Sequence, residues 1–290
     1  MRWALKRRRT PEQLPQDAVF SDGRSVRDVL AVHLGEALER AEILNYHGLL
    51  SLFVETPAGR YKVAECESVR RAELAEEALS AVKHAGGPVP GLVARDGAVL
   101  IADWVEGPSC RKEPKARQRE VLLQCQTALY RTPVPPGSNA GYVHMETLAR
   151  RFRRLGPEIT SESRVESILA ALWEHLPEPA EPAVLHPDLT PANVVLSDRG
   201  PVIIDNEVIS IGSGLEWDVW NSGEALCGPR HDACIESYVS SFATDCPYPR
   251  LFEYRAAWDR FRLLRRMLKA IEKRRLFKAR RLLRRLASGL

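Results

Sequence analysis

The composition of this 290-residue chain limits its class before any motif is considered. Hydrophobic residues make up 44% of the sequence, enough to bury the cores of one or two ordinary domains. No apolar run approaches the roughly 18 residues that cross a bilayer, and the first residues lack the apolar core of a signal peptide. The six cysteines fall at irregular intervals without a Cys-x-x-Cys pair, which argues against a zinc site or a disulfide framework. We therefore expect a cytoplasmic protein with reduced thiols.

The net charge of +4 is unevenly distributed along the sequence. Residues 255–290 carry a net charge of +12, whereas residues 1–254 carry a net charge of −8. A basic segment of this kind is typical of segments that bind an anionic membrane or polyphosphate. A terminal helix that its charge keeps soluble would explain the same residues equally well. Nucleic acid is a less favoured partner, because no nucleic-acid-binding motif accompanies the charge.

Apolar periodicity and turn residues predict the elements of the first half of the chain. They are a helix over residues 26–38, the two strands of a hairpin over 49–55 and 61–64, a helix over 70–84 and a strand over 98–102. Residues 1–40 are interpreted as an N-terminal extension to which no role is assigned.

Helical apolar spacing dominates the second half. It predicts helices over residues 115–130, 145–155 and 165–176, the third with a capping box of Ser163 and Glu166, and a helical pattern over 255–285. The apolar stripes of these helices are core positions rather than cofactor contacts.

The candidate catalytic and metal-binding side chains lie within residues 185–205. Asp188 and Asn193 are five residues apart and bracket a loop that Pro191 stiffens. Two short β-branched runs follow, separated by a turn, and the second run ends at Asp205, which predicts a hairpin with polar groups at its open end. Phosphoryl transfer needs a carboxylate near the acceptor hydroxyl and hard oxygen ligands for Mg²⁺. The simpler alternative is that these polar residues only cap two strands.

The pattern His186-x-Asp188-x-x-x-x-Asn193, followed by an apolar run and Asp205, resembles the catalytic and metal-binding loops of the protein-kinase-like superfamily. It is most similar to the branch of small-molecule kinases that contains aminoglycoside phosphotransferases and choline kinases. Protein kinases usually place a basic residue where this chain has Thr190, and Phe-Gly after the metal-binding aspartate, where this chain has Asn-Glu. A Gly…Asp segment that ends at Asp218 also matches the branch.

The resemblance implies an α+β, two-lobed protein-kinase-like fold with a small β-rich N-lobe and a larger, mainly helical C-lobe. The implied order is an N-terminal extension (1–40), a nucleotide-binding N-lobe (41–107), a catalytic and acceptor-binding C-lobe (108–272) and a basic amphipathic tail (273–290).

It further implies ATP and Mg²⁺ as cofactors. Asp188 would orient and deprotonate the acceptor hydroxyl, and Asn193 and Asp205 would hold Mg²⁺. Asp218 would brace the catalytic loop. The backbone at Asp103 and Val105 would bind adenine in the hinge between the lobes.

The phosphate clamp implied by the resemblance is a lysine on a strand paired with a helix glutamate, assigned to Lys62 and Glu76. Glu73 and Glu77 compete for the glutamate role. The family usually places its lysine where this chain has Ala64 or Glu65, so either the strand is shifted and Lys62 serves, or the clamp is altered. Gly48 stands where a nucleotide-covering loop is expected.

We therefore interpret the protein as an ATP-dependent phosphotransferase acting on a hydroxyl of a small molecule, sugar or glycan. Arginines at positions 150, 151, 153 and 154, together with the tail, disfavour a cationic acceptor. One alternative is a lipopolysaccharide or glycolipid kinase, held at an anionic membrane by the tail and by basic residues near Arg2 and Trp3. The other is a pseudokinase that serves as a nucleotide-binding scaffold.

Overall fold

The computed structural model describes residues 12–15, 17–35, 38–46, 49–138, 141–178, 181–246, 248 and 251–289. They form two compact units, the first within residues 1–113 and 192–210 and the second within 114–191 and 211–290. The first unit contains the large sheet and the second most of the helices, so the expected β-rich and mainly helical parts are confirmed. The boundary after residue 113, and the inclusion of 192–210 in the first unit, differ from the single boundary expected at residue 107.

The first unit is built on a six-stranded antiparallel sheet. Its strands in chain order are β1 (Glu12–Gln13), β2 (Arg40–Tyr46), β3 (Leu50–Thr56), β4 (Gly59–Glu65), β5 (Leu92–Asp96) and β6 (Val99–Asp103). They lie in the order β1-β2-β3-β4-β6-β5. The three predicted strands are confirmed as β3, β4 and β6.

Helix α1 (Val26–Leu34) covers one face of this sheet. Ser25 caps its N-terminus by accepting a hydrogen bond from the backbone N–H of Asp28. Phe20 and the buried face of α1 pack in one cluster with Leu52 of β3 and Ile101 of β6. Residues 20–34 are therefore part of the core of the first unit, and the prediction that they belong to an extension is wrong.

Helix α2 (Val69–His84) contacts β5 and β6. Its buried residues are mostly small, namely Ala72, Ala75, Ala78, Leu79 and Val82. Because side chains alternate along a strand, Ala64 and Leu100 point away from the α1 cluster, as does Lys62. One face of the sheet therefore packs with α1, and the other packs with α2 and carries Lys62.

The predicted hairpin near Asp205 is confirmed as β8 (Val194–Ser197) and β9 (Gly200–Ile203). Backbone hydrogen bonds fasten both strands to the rest of the first unit. The N–H of Leu196 donates to the carbonyl of Pro108 at 2.9 Å, and that of Ile203 donates to the carbonyl of Pro88 at 2.7 Å.

The second unit is mainly helical. Its helices are α3 (Lys115–Tyr130), α4 (Val143–Leu155), α5 (Glu162–Glu174), α6 (Leu215–Cys227), α7 (Asp232–Asp245), α8 (Arg255–Glu272) and α9 (Leu276–Ala287). Strand β7 (Ala183–Leu185) pairs with β10 (Ser210–Gly212). Helix α5 is capped by Ser161, two residues before the predicted Ser163, through the N–H of Arg164.

The predicted helical pattern over 255–285 is divided into α8 and α9. The break is at Arg274, whose φ of 54° is left-handed. The N–H groups of Arg274 and Arg275 donate to the carbonyls of Ile271 and Ala270, the pattern of a Schellman C-cap. Amphipathicity of the sequence continues through this turn, so periodicity alone does not reveal it.

The apolar face of α9 is buried through Ala279, Leu282 and Leu286, and α9 packs on α8. Phe277 is 80% exposed, and the basic residues of α9 face solvent. The basic tail is therefore a docked helix rather than an unattached segment.

Cys227 and Cys234 form a disulfide that joins the end of α6 to the start of α7. The expectation that all thiols are reduced is wrong for this pair, because the turn between α6 and α7 brings both residues together. The remaining four cysteines are buried thiols. Within the described ranges, no helix has the length and apolarity needed to span a bilayer.

Candidate active site

Asn193 and Asp205 lie next to each other at the open end of the β8–β9 hairpin. Strand pairing joins Val194 to Ile203, and the N–H of Ile204 donates to the carbonyl of Asn193 at 2.8 Å. Asp205 has a left-handed backbone, with φ of 61° and ψ of 46°. Aspartate and asparagine tolerate this conformation better than most residues, and it is often found where a side chain is held for a function.

The ammonium of Lys62 reaches this end of the hairpin. It donates to Oδ1 of Asp205 at 2.7 Å and to Oε2 of Glu207 at 3.2 Å. Burial lowers the pKa of Lys62, but the carboxylates of Glu207 and Asp205 outweigh burial, and the net pKa lies above its usual value. Lys62 is therefore a charged lysine in contact with two acidic groups.

The register of β4 shows why Lys62 occupies this place. Glu65 points to the other face of the sheet, where its carboxylate accepts hydrogen bonds from the N–H groups of Ser21 at 2.7 Å and Leu50 at 3.0 Å. Ala64 shares the face of Lys62 but has no functional group. Lys62 is therefore the residue of β4 whose cation reaches the hairpin end.

Glu76 does not pair with Lys62. Its carboxylate accepts a hydrogen bond from Nε of Arg95 on β5 at 2.5 Å, and Glu73 pairs with Arg70 on its own helix. The pairing expected from the resemblance is therefore absent among the described residues. Arg95 supplies the cation for Glu76, whereas the ammonium of Lys62 is bound to Asp205 and Glu207.

Arg71 supplies a link between α2 and the hairpin end that the sequence analysis did not identify. Its guanidinium donates to the carbonyls of Glu207 at 3.0 Å and Ile209 at 2.7 Å. These contacts hold the turn that follows Asp205. No sequence signal singles out Arg71, because it stands in a run of charged residues typical of a solvated helix face.

The segment after β6 offers a backbone binding surface. The N–H of Asp103 donates to the carbonyl of Gly91, and that of Trp104 donates to the carbonyl of Arg60, each at 2.9 Å. Across the described ranges, no backbone hydrogen bond uses the N–H or carbonyl of Val105. A planar ligand with a donor and an acceptor edge could bind to the N–H and carbonyl of Val105.

In the second unit, His186, Asp188 and Asp218 lie around one tight turn. Oδ2 of Asp218 accepts a hydrogen bond from the backbone N–H of His186 at 2.6 Å, which is the bracing contact that the resemblance implies. The carbonyl of His186 accepts from the N–H of Leu189 at 3.0 Å, closing the turn. Asp188 is exposed between these fixed residues. Its carboxylate is thus held by a rigid backbone and is accessible to solvent.

The bracing contact predicts a pH-dependent stability. Burial raises the pKa of Asp218 well above 3.8. The folded protein then holds a proton that the unfolded chain releases, so the free energy of unfolding should fall as pH rises from about 4 through the raised pKa. Asp218→Asn keeps an acceptor for the N–H of His186 and should abolish this fall, whereas Asp218→Ala should cost about 1–3 kcal/mol by leaving that N–H unsatisfied. Urea unfolding at several pH values measures both effects. Asp245→Asn, at an exposed carboxylate, should leave the fall unchanged, and an unchanged fall in Asp218→Asn would contradict the prediction.

Comparison with known proteins assigns the chain to a family. The sequence profile of the phosphotransferase enzyme family, APH, matches residues 48–245, more than half of the chain. The chain belongs to this family. The prediction of a small-molecule kinase branch is thereby confirmed, and the chain is a phosphotransferase. A comparison with curated protein sequences gives no match.

Solved structures share the fold of this phosphotransferase over almost its whole length. Choline kinase LicA from Streptococcus pneumoniae is 14% identical, with a TM-score of 0.63, over 91% of this chain and 96% of LicA. A putative fructosamine-3-kinase from Haemophilus somnus 129PT is 12% identical, with a TM-score of 0.60, over 90% and 96%. A thermostable mutant of aminoglycoside phosphotransferase APH(4)-Ia is 15% identical, with a TM-score of 0.58, over 91% and 98%. The two-lobed kinase-like fold is confirmed.

The hairpin end suits magnesium in its donor chemistry. Asn193 and Asp205 offer an amide oxygen and a carboxylate, the hard ligands that Mg²⁺ prefers, and Mg²⁺ in such sites takes its remaining ligands from phosphates and water. Among the described residues, no cluster of three His, Cys, Asp or Glu side chains is arranged for a metal.

Proposed function

We propose that this phosphotransferase transfers the γ-phosphoryl group of ATP to a hydroxyl of a small molecule, sugar or glycan. The observation that carries the proposal is the contact of a half-buried, charged lysine with Asp205 beside Asn193. ATP is supported by neighbours that were crystallised with nucleotides, LicA with AMP and APH(4)-Ia with ADP or AMP-PNP.

Each residue has a role that follows from its surroundings. Asp188 would orient the acceptor hydroxyl and receive its proton. Asn193 and Asp205 would hold Mg²⁺, which when bound neutralises charge on the phosphates. Lys62 would bind the phosphates, exchanging carboxylate partners for phosphate oxygens. Glu76 would affect the phosphate clamp only indirectly, through its bond to Arg95 and through the position of α2.

The backbone of Asp103 and Val105 would bind adenine. Arg71 would position Asp205 by fixing the turn at residues 207–209.

Mg²⁺-dependent release of ADP against a panel of sugars, sugar phosphates, glycolipids and amino alcohols tests the proposal. Turnover that requires both an acceptor and Mg²⁺ is the expected result. ATP binding without turnover against any acceptor would overturn it in favour of the pseudokinase alternative, in which Lys62 stays paired with Asp205 and Glu207.

A glycolipid kinase at a membrane is a second candidate, favoured by the exposed basic residues of α9 and by Phe277. Because Ala279, Leu282 and Leu286 are buried, binding must be mainly electrostatic, with about 1 kcal/mol per basic residue near the surface. The predicted contact through Arg2, Trp3 and neighbouring basic residues, like the loop at Gly48, lies outside the described residues.

Vesicle sedimentation tests this candidate with two variants of equal charge. The α9 variant replaces Arg280, Arg281, Arg284 and Arg285 with Gln, and the control variant replaces Arg70, Arg117, Arg164 and Arg199. Salt-sensitive binding to anionic vesicles that only the α9 variant loses is the expected result. Equal binding by both variants would exclude a membrane role for α9.

A further inference from the structure

Lys62 has two carboxylate partners that are not equivalent. Its ammonium lies 2.7 Å from Asp205 and 3.2 Å from Glu207, and both ion pairs are within the first unit. Asp205 is the carboxylate that the proposed function assigns to Mg²⁺, and a carboxylate that binds a metal directs its oxygens at the metal. Glu207 is therefore the partner that Lys62 can keep when nucleotide and metal are bound.

The backbone that carries Glu207 is fastened on both sides. The guanidinium of Arg71 on α2 donates to the carbonyl of Glu207 at 3.0 Å and to that of Ile209 at 2.7 Å. In the same turn, Nδ2 of Asn206 donates to the carbonyl of Ile203 at 2.9 Å, and the N–H of Ile209 donates to the carbonyl of Asn206 at 3.1 Å. The side chain of Glu207, 28% exposed, thus extends from a fixed backbone.

A lysine that binds phosphate needs a fixed partner, because its four-carbon stem is flexible. The resemblance assigns this role to a glutamate of α2, but the carboxylate of Glu76 is bound to Arg95. The carboxylate of Glu207 is bound to Lys62 instead. An ammonium has three donors, so Lys62 can keep one bond to Glu207 and direct the others at phosphate oxygens.

We propose that Glu207 orients Lys62 toward the nucleotide phosphates, in the role that the resemblance gives to a helix glutamate. The inference rests on the proposed function, since it names a positioning residue for the same site. Arg71 includes α2 in the arrangement, because its guanidinium fastens the backbone of Glu207. The helix and the lysine are thus joined through the turn that follows Asp205.

Calorimetric titration with AMP-PNP, once with Mg²⁺ and once in excess EDTA, tests the proposal. Glu207→Gln should weaken AMP-PNP binding about 10-fold in both conditions, because the ammonium of Lys62 loses a charged hydrogen bond that fixes it. Glu67→Gln removes an exposed carboxylate just after β4 and should bind AMP-PNP like the wild-type protein.

Two results of these titrations would overturn the proposal. A loss that is confined to the titration with Mg²⁺ would make Glu207 a metal ligand rather than a partner of Lys62. Tighter binding of AMP-PNP by Glu207→Gln would make Glu207 a competitor of the phosphates.

A double variant tests whether Glu207 acts through Lys62. Lys62→Met should weaken AMP-PNP binding, and adding Glu207→Gln to it should cause no further loss, because the side chain to be oriented is then absent. The same 10-fold loss from Glu207→Gln in both backgrounds would show an effect independent of Lys62 and overturn the proposal. Thermal unfolding reports whether each variant is folded.

Glu76→Gln separates the two candidate partners of the lysine. It removes the ion pair with Arg95, and its effect on AMP-PNP binding should be smaller than that of Glu207→Gln. An equal or larger effect of Glu76→Gln would return the role to the helix glutamate and overturn the proposal.

This inference and the proposed function fail in different ways. Acceptor-dependent release of ADP by Glu207→Gln with the wild-type kcat and the wild-type KM for ATP would overturn the positioning role and leave the kinase intact. If no acceptor is phosphorylated, the proposed function fails, and the AMP-PNP titrations still decide the role of Glu207. Absence of AMP-PNP binding to the wild-type protein would overturn both.

Discussion

Asp188→Asn should lower acceptor-dependent turnover by about 10²–10⁴-fold, the usual contribution of a positioned general base. The amide keeps the size of the side chain, and the turn around it is fixed by backbone contacts from His186 to Asp218 and Leu189. The loss should therefore appear in kcat, with the KM for ATP unchanged. Steady-state release of ADP at saturating acceptor measures it.

Glu181→Gln is a matched control for Asp188→Asn, since Glu181 is an exposed carboxylate shortly before the same turn. It should retain full activity. Wild-type turnover in Asp188→Asn would remove Asp188 from the catalytic role, and a weaker affinity for ATP in that variant would show that its effect is not confined to the acceptor.

Asp205→Asn should reduce turnover by about 10³-fold, equivalent to about 4 kcal/mol, because it removes the carboxylate that we propose to hold Mg²⁺ and a partner of Lys62. Asparagine accepts the left-handed backbone at this position, so the fold should persist. A titration with Mg²⁺ should show a higher metal requirement in the variant. Circular dichroism and thermal unfolding report whether the protein remains folded.

Asp198→Asn controls for charge in the same hairpin, because Asp198 is exposed in the turn between β8 and β9. It should leave the magnesium dependence unchanged. A folded Asp205→Asn protein with the wild-type response to Mg²⁺ would show that the metal is held elsewhere.

The hairpin that ends at Asp205 could be predicted from sequence because its information is local. Two β-branched runs, a turn and polar residues at fixed spacing specify it, and the observed strands β8 and β9 agree with the prediction. Helix α3 was predicted at its observed bounds for the same reason. The order of the polar residues along one loop was also enough to predict the family.

The contacts that the sequence did not reveal join residues far apart in the chain. The pairing of Glu76 with Arg95, rather than with Lys62, depends on which strand lies beside α2. The bonds from Arg71 to the carbonyls at 207 and 209 involve backbone acceptors, which leave no signature in a sequence. The disulfide of Cys227 and Cys234 depends on the turn between α6 and α7. Local patterns cannot specify such partners.

The packing of α1 on the sheet matters for the choice of a shortened protein. Phe20, Val26 and Leu30 are almost fully buried, and each such side chain contributes about 1.5–3 kcal/mol when removed from water. Their sum is a large part of the about 5–15 kcal/mol by which a typical domain is stable. A truncation at residue 41 would expose Leu52 and Ile101 to water and favour aggregation. The region that the family profile matches, which begins at residue 48, is shorter than the region that folds.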